Sequence, residues 1–177
     1  MEDVILVRPS EEYADDISAF RREYMDDGRI FNGSTNMNEF DDPIEWIEHC
    51  RSIEKAETLP GPDWVPADQY MLVRSANSRI LGMINIRHHL NGHLEKYGGH
   101  IGYSVRPSER RKGYAKKMML LCADRCRELG LEKVLLTCRF DNEASRRTIL
   151  AAGGVYESTI YYEDKDVDLE RYWITLR

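Results

Sequence analysis

The sequence predicts a mixed α/β fold in one domain. Two observations carry that expectation. Apolar spacing is helical in some segments and alternating in others, with a turn or cap signal at each change. The resulting order is strand, two helices, strand hairpin, strand, helix, strand, helix, two strands. The 177 residues (1–177) suit a single domain able to bury a core, and no repeat, low-complexity tract or linker divides them.

The elements follow in order. Val4 to Arg8 reads as a strand, and Ser10 stands where it can cap a helix carrying Tyr13, Ile17, Phe20 and Tyr24 on one stripe. Gly28 to Asn38 is polar and turn-rich, hence a loop. Asp42 as N-cap, Pro43 at the first helical position and Glu45 three residues after the cap start a second helix running to about Ala56. It turns Trp46, Ile47, Cys50 and Ile53 inward, and the proline-rich stretch from Leu59 to Pro66 ends it. Gln69 to Arg74 and Arg79 to His88 read as strands joined by the turn Ser75 to Ser78. Asn91-Gly92 is a turn signal, and Gly99 to Arg106 is the next strand. A helix from Arg111 to Leu129, with Ala115, Met118, Met119, Cys122, Cys126 and Leu129 on one face, ends at Gly130. Lys133 to Cys138 is a strand, Asn142 to Ala152 a short helix closed by Gly153-Gly154, and Val155 to Tyr162 and Leu169 to Leu176 are closing strands.

Composition narrows the function. The chain carries 25 Lys and Arg against 31 Asp and Glu, a net charge of −6, which argues against a nucleic-acid partner. No apolar run approaches a membrane span, no secretory signal is visible at Met1-Glu2-Asp3-Val4, and the four cysteines lack metal-ligand spacing. The expectation is a cytoplasmic protein in a reducing compartment, with no membrane partner and no metal. Basic charge is nevertheless concentrated: Val105 to Lys117 holds six basic residues and one acid. That cluster is either an anion site or a solvated helix face.

The same stretch has the makings of a phosphate cradle. A strand ends at Val105, turns tightly, and enters a helix whose first residues include Gly113 and Ala115. First-turn amides lack intrahelical partners and carry the positive end of the helix dipole, and small side chains let a diphosphate approach them. Arg110, Arg111 and Lys112 add formal charge. Asn142, before the next helix, is a natural N-cap that can also serve a ligand.

Val105, Pro107, Arg110, Gly113 and Ala115 fall on a Val-x-Pro then Gln/Arg-x-x-Gly-x-Gly/Ala pattern. In this the segment resembles the acetyl-CoA-binding motif of the GNAT acetyltransferase superfamily, and the element order resembles that family over the whole chain. Asp141-Asn142-Glu143-Ala144-Ser145 resembles the family's Asn-x-x-Ala/Ser. Gly99 to Pro107 is similar to a subgroup of predicted acetyltransferases without an assigned substrate.

The resemblance implies a central, mostly antiparallel sheet flanked by helices. It implies acetyl-CoA as cosubstrate, and transfer of its acetyl group to a small-molecule or peptide amine by direct attack in a ternary complex. It places the diphosphate on the amides of Arg111, Lys112, Gly113, Tyr114 and Ala115, beside Arg110. The pantetheine lies along Ser104 and Val105, within reach of Asn142 and Ser145. A backbone N–H near Val105 then meets the oxyanion.

One departure is plain. The tyrosine the family often uses to protonate the leaving thiolate corresponds to Ile149. The strand before Arg106 holds no carboxylate, so His100 and Tyr103 are its candidates for proton transfer, with His88 at the end of the neighbouring strand. Without the tyrosine, a coenzyme-binding sensor that has lost catalysis is the alternative to an enzyme. Gly98-Gly99 gives another chain or a substrate room to approach. The acceptor and the oligomeric state, a homodimer included, are not fixed by the sequence.

Overall fold

A computed structural model describes residues 3–176; Met1, Glu2 and Arg177 lie outside the described residues, so the reading of the first two as free of a leader has no structural counterpart. Strand β1 (Val4–Val7) leads through a short 3₁₀ turn into helix α1 (Ala14–Asp27), a long loop and helix α2 (Pro43–Ser52). Strands β2 (Ala67–Arg74), β3 (Arg79–Arg87) and β4 (Ile101–Val105) follow, then α3 (Tyr114–Glu128), β5 (Lys133–Arg139), α4 (Glu143–Ala151), β6 (Val155–Tyr162) and β7 (Val167–Thr175).

The sheet is antiparallel throughout and split in two. One sheet has the order β1-β2-β3-β4, the other β5-β7-β6. They are pinned together where His100 N–H donates to Leu135 C=O at 2.7 Å. Beyond that bond β4 and β5 share no ladder.

Each face of the first sheet has its own core. Tyr70, Leu72, Ile84 and Ile86 pack with Met118, Cys122 and Cys126 of α3, and Ile149 of α4 joins them. Met71, Val73, Ile80 and Met83 pack with Ile17 and Phe20 of α1 and with Trp46 and Ile47 of α2. Strand alternation explains the division, since successive residues of β2 serve opposite faces. A fully buried side chain of this size contributes roughly 1.5–3 kcal/mol.

Element ends depart from the sequence reading for local reasons. The third helix begins at Tyr114, not Arg111, because Arg111 (φ +63°) and Gly113 (φ +84°) adopt left-handed conformations that a helix excludes. The second helix stops at Ser52 instead of Ala56, and Ala56–Thr58 form a separate 3₁₀ turn. Ser10 does not cap through its side chain; its hydroxyl donates to Glu12 instead. Asp42 does cap, accepting from Ile44 N–H at 2.8 Å. A π-helical turn, Leu94–Gly98, lies between β3 and β4 where only a turn was expected.

Candidate active site

Strand β4 supplies an open edge. Arg87 N–H donates to His100 C=O and Arg106 N–H to Leu81 C=O, so the even-numbered residues turn their peptide groups to β3. By antiparallel alternation the peptide groups of Ile101, Tyr103 and Val105 face away from β3. One of these is engaged: the Tyr24 hydroxyl of α1 donates to Val105 C=O at 3.0 Å. Gly33, in the α1–α2 loop, lies against the same strand so closely that a Cβ there would fall 2.2 Å from Gly102 O. In sequence Tyr24 reads only as part of the α1 stripe, and Gly33 only as a loop residue; an Asn-Gly pair in a polar loop gives no sign of a strand crossing it.

Past Val105 the chain turns through a short 3₁₀ segment, Pro107–Glu109, and Arg111 and Gly113 aim the start of α3. The first intrahelical bond runs from Lys117 N–H to Gly113 C=O, and Gly113 offers no side-chain cap. The amides before it have no acceptor within the helix and point out of its N-terminal end. A Cβ at Gly113 would meet no atom within 4 Å, so the approach is uncrowded. These features fit a diphosphate.

The basic cluster around this turn is less positive than its sequence. Arg106 is buried and bound to Asp16 and Glu23 of α1 and to Ile80 C=O. Arg110 makes a two-pronged pair with Asp27 at 2.9 and 3.0 Å. Lys112 donates to Glu109 at 2.8 Å, and Arg74 and Arg79 hold the same buried carboxylate. These ion pairs keep Glu23, Asp27 and Glu109 below the usual carboxylate range, against the opposing effect of desolvation. The guanidinium of Arg110 thus braces the turn, and Arg111 and Lys116 remain exposed beside it. Tyr114 is buried, its hydroxyl accepting from Arg74.

Helix α4 stands against β4. Asn142 caps it, its Oδ1 accepting from Ser145 N–H at 3.1 Å, which leaves Nδ2 as its remaining donor. Ser145 Oγ and the Tyr103 hydroxyl are 2.8 Å apart, so two candidates from separate motifs meet between β4 and α4. Burial raises the Tyr103 phenol above its ordinary value. Ile149 is fully buried in the core one turn further along α4. Ser104 is buried, and its hydroxyl has no partner among the described residues. Cys138 of β5 is a buried free thiol, pushed up to about 11 by burial and by Glu170.

The two histidine candidates have other surroundings. His88 Nε2 lies 3.1 Å from Asp68 Oδ1 on β2, and its N–H donates to Pro66 C=O, so it sits on the β2 side of β3, away from β4. His100 is 7% exposed, and its Nδ1 accepts from Leu135 N–H at 2.9 Å. With its own N–H on Leu135 C=O, it closes a two-bond clasp between the sheets. Burial, with Arg87 nearby, pushes its pKa down to about 4. Gly99 brings it there: a Cβ at that position would stand 2.5 Å from Leu135 O.

A pH dependence follows. As pH falls the unfolded chain protonates this histidine first, near its ordinary 6.5. The clasp's contribution is therefore whole above about pH 6.5 and drains away between 6.5 and about 4. His100→Ala should cost about 1–3 kcal/mol by stranding Leu135 N–H. His100→Asn, which can present an oxygen there, should recover part of that and flatten the acid limb of a thermal-melting profile. An unaltered acid limb in His100→Asn would refute the assignment.

Comparison with known proteins places this geometry. No match was found among curated proteins. Among solved structures, the microcin self-immunity acetyltransferase MccE, determined with acetyl-CoA and AMP, is 17% identical with TM-score 0.69, over 99% of this chain and 93% of that one. RimJ of Mycobacterium smegmatis, determined with CoA-disulfide, is 19% identical with TM-score 0.70, over 97% and 81%. A dodecameric spermidine N-acetyltransferase from Vibrio cholerae is 14% identical with TM-score 0.65, over 98% and 94%. At such identities these likenesses speak for the fold. The model of the acetyltransferase (GNAT) family matches residues 35–153, a span that takes in β4, the turn, α3 and α4, and the chain belongs to that family as an acetyl-CoA-dependent acetyltransferase.

Proposed function

We propose that this chain transfers the acetyl group of acetyl-CoA to an amine, by direct attack while both are bound. The observation that carries this reading is the run from the outward edge of β4 into the start of α3, which no side chain caps, with the Tyr103–Ser145 hydroxyl pair joining β4 to α4 beside it. In this reading the amides from Arg111 to Ala115 take the diphosphate. The pantetheine lies along Ser104 and Val105, where the Val105 N–H faces outward, and meets Asn142 and Ser145.

The chemistry then falls to few groups. The amine attacks the thioester carbonyl, and the oxyanion meets the outward N–H of Tyr103 or Val105. The C–S bond breaks and the thiolate, with an ordinary pKa near 8.5, takes a proton. The buried Tyr103 phenol, backed by Ser145, is the donor in place of a tyrosine at Ile149. His100, with Nδ1 committed, does not serve as base, and β4 carries no carboxylate. The amine therefore loses its proton to solvent, and kcat/KM should climb with pH through neutrality toward the acceptor's own pKa.

Ile149 favours the alternative, a domain that binds the coenzyme without turnover. Following free thiol during incubation with acetyl-CoA and a panel of amines, polyamines and peptides separates the two. Amine-dependent thiol release supports transfer; tight binding without release over the panel supports the sensor. Tyr103→Phe should lower kcat by about a hundredfold with little change in KM for acetyl-CoA. If Tyr103→Phe and Ser145→Ala both keep full kcat, the proton-donor assignment is wrong.

A further inference from the structure

We infer that Arg87 and His100 form an anion subsite beside the transfer chemistry, and that the amine they serve is a small one bearing a carboxylate, of the amino-acid kind. The inference deepens the acetyl transfer proposed above and rests on it. Arg87 and His100 face each other across the β3–β4 ladder. Arg87 N–H donates to His100 C=O at 2.8 Å, in register with the pairs Ile86–Ile101 and Asn85–Gly102. Opposed residues of an antiparallel pair share a face. Theirs is the face of Met83, which packs with α1 and α2, and of Gly102, which Gly33 crosses. Ile101 and Tyr103 turn the other way and join the core of α3 and α4. With the coenzyme on the α3 and α4 side, as proposed, the opposite face is the one left to an acceptor.

Arg87 is an unanswered charge. Its Nη1 donates to Gly98 C=O at 3.2 Å and Gly99 C=O at 3.0 Å. Among the described residues no carboxylate lies within ion-pair distance of it, and none accepts from its Nε or Nη2. Other arginines sunk into the fold have their acids: Arg106 has Asp16 and Glu23, Arg74 has Glu109, and Arg146 has Glu170. Burial holds the Arg87 guanidinium below the ordinary arginine value. Desolvation of Arg8 and Arg110 is outweighed by their acids, which lift both above it. Taking a guanidinium out of water without a counter-charge is unfavourable, and an arriving carboxylate removes that penalty.

His100 adds a second donor. Its Nδ1 accepts from Leu135 N–H, so the ring's proton stands on Nε2. No described residue accepts that N–H. Burial, and then the Arg87 charge, keep the ring neutral, and no acid acts on either group. An arginine fork with one further N–H matches a planar carboxylate and offers a polyamine nothing to bind. His100 lies three residues before Tyr103, about 10 Å along the strand. A small amine, with the side chains that hold its carboxylate, can span that distance. Transfer then yields an N-acetyl amino acid, its carboxylate unchanged, and the free coenzyme thiol.

Thiol release from acetyl-CoA with three matched series tests this: L-amino acids, their amides, and the amines that lack the carboxylate. For the preferred side chain, kcat/KM for the acid should exceed that for its amide and its amine by about a hundredfold. The amide's amine is the less basic, so without the subsite the order would reverse at neutral pH. Arg87→Gln should raise KM for the acid by about the same factor, leave KM for acetyl-CoA as it is, and abolish the preference for acid over amide. Arg87→Lys should keep part of that preference. Amides turned over as fast as acids by the wild type, or an Arg87→Gln variant that retains the preference, would overturn the inference with acetyl transfer intact. If no compound of any series releases thiol, the transfer reading itself fails. Calorimetry of the amino acids on the coenzyme-bound protein then decides the subsite: binding that Arg87→Gln abolishes supports it, and no heat from any of them overturns it.

Discussion

Gly113→Glu is expected to raise the dissociation constant for acetyl-CoA by about two orders of magnitude while leaving the fold nearly as stable as before. Gly113 stands at the head of α3 with φ +84° and open space where a Cβ would lie. A carboxylate placed there faces the diphosphate, and repulsion between like charges in a partly desolvated cradle accounts for most of the loss. The folded chain itself pays about 1–2 kcal/mol for the left-handed backbone. It recovers some of this because an acid is favourable at a helix N-terminus. Gly113→Ala separates the two effects: the same backbone strain, no charge, and an affinity within a few-fold of wild type. Isothermal calorimetry with coenzyme A, beside thermal melts of both variants, measures the split. Equal affinities for the two variants would mean that the first turn of α3 does not hold the diphosphate.

The second large effect is expected at Gly99. Its φ of +66° and ψ of −173° belong to a region that only glycine occupies with ease. A Cβ there would sit 2.5 Å from Leu135 O and 3.0 Å from Leu135 C, and backbone atoms cannot swing aside as a side-chain tip can. Gly99→Ala must part the two sheets at the bond from His100 N–H to Leu135 C=O or distort both strands. About 3 kcal/mol or more of stability should go, lowering the melting temperature by about 10 °C. Differential scanning calorimetry reads this directly, and a melting temperature within a degree of wild type would show that the clasp contributes little.

Much of this was legible in the sequence because local signals and tertiary roles coincide. The apolar stripe of α3, Met118, Met119, Cys122 and Cys126, is buried as its spacing requires. Asp42 and Asn142 cap the helices they precede. The turn proposed to hold the coenzyme stands out in the sequence because its requirement is written in backbone chemistry, a glycine and an alanine at a helix start. The side chains around it were less legible. Arg106, Arg110 and Lys112 read in sequence as parts of one basic cluster, but their charges answer Asp16, Glu23, Asp27 and Glu109, and three of those four acids lie 83 to 90 positions away in the chain. His100 was singled out as titratable, yet its role depends on Leu135, 35 residues later. The split of the sheet has the same origin, since the pairing of β4 with β3 alone depends on contacts that no local pattern encodes.

Helix α1 grips the turn between β4 and α3 from several directions at once. Asp16 and Glu23 hold Arg106, Asp27 holds Arg110, and Tyr24 reaches the carbonyl of Val105. The same helix runs directly into the loop whose Gly33 lies across β4. A shift of the turn would therefore have to carry α1 with it, and with α1 the loop that crosses β4.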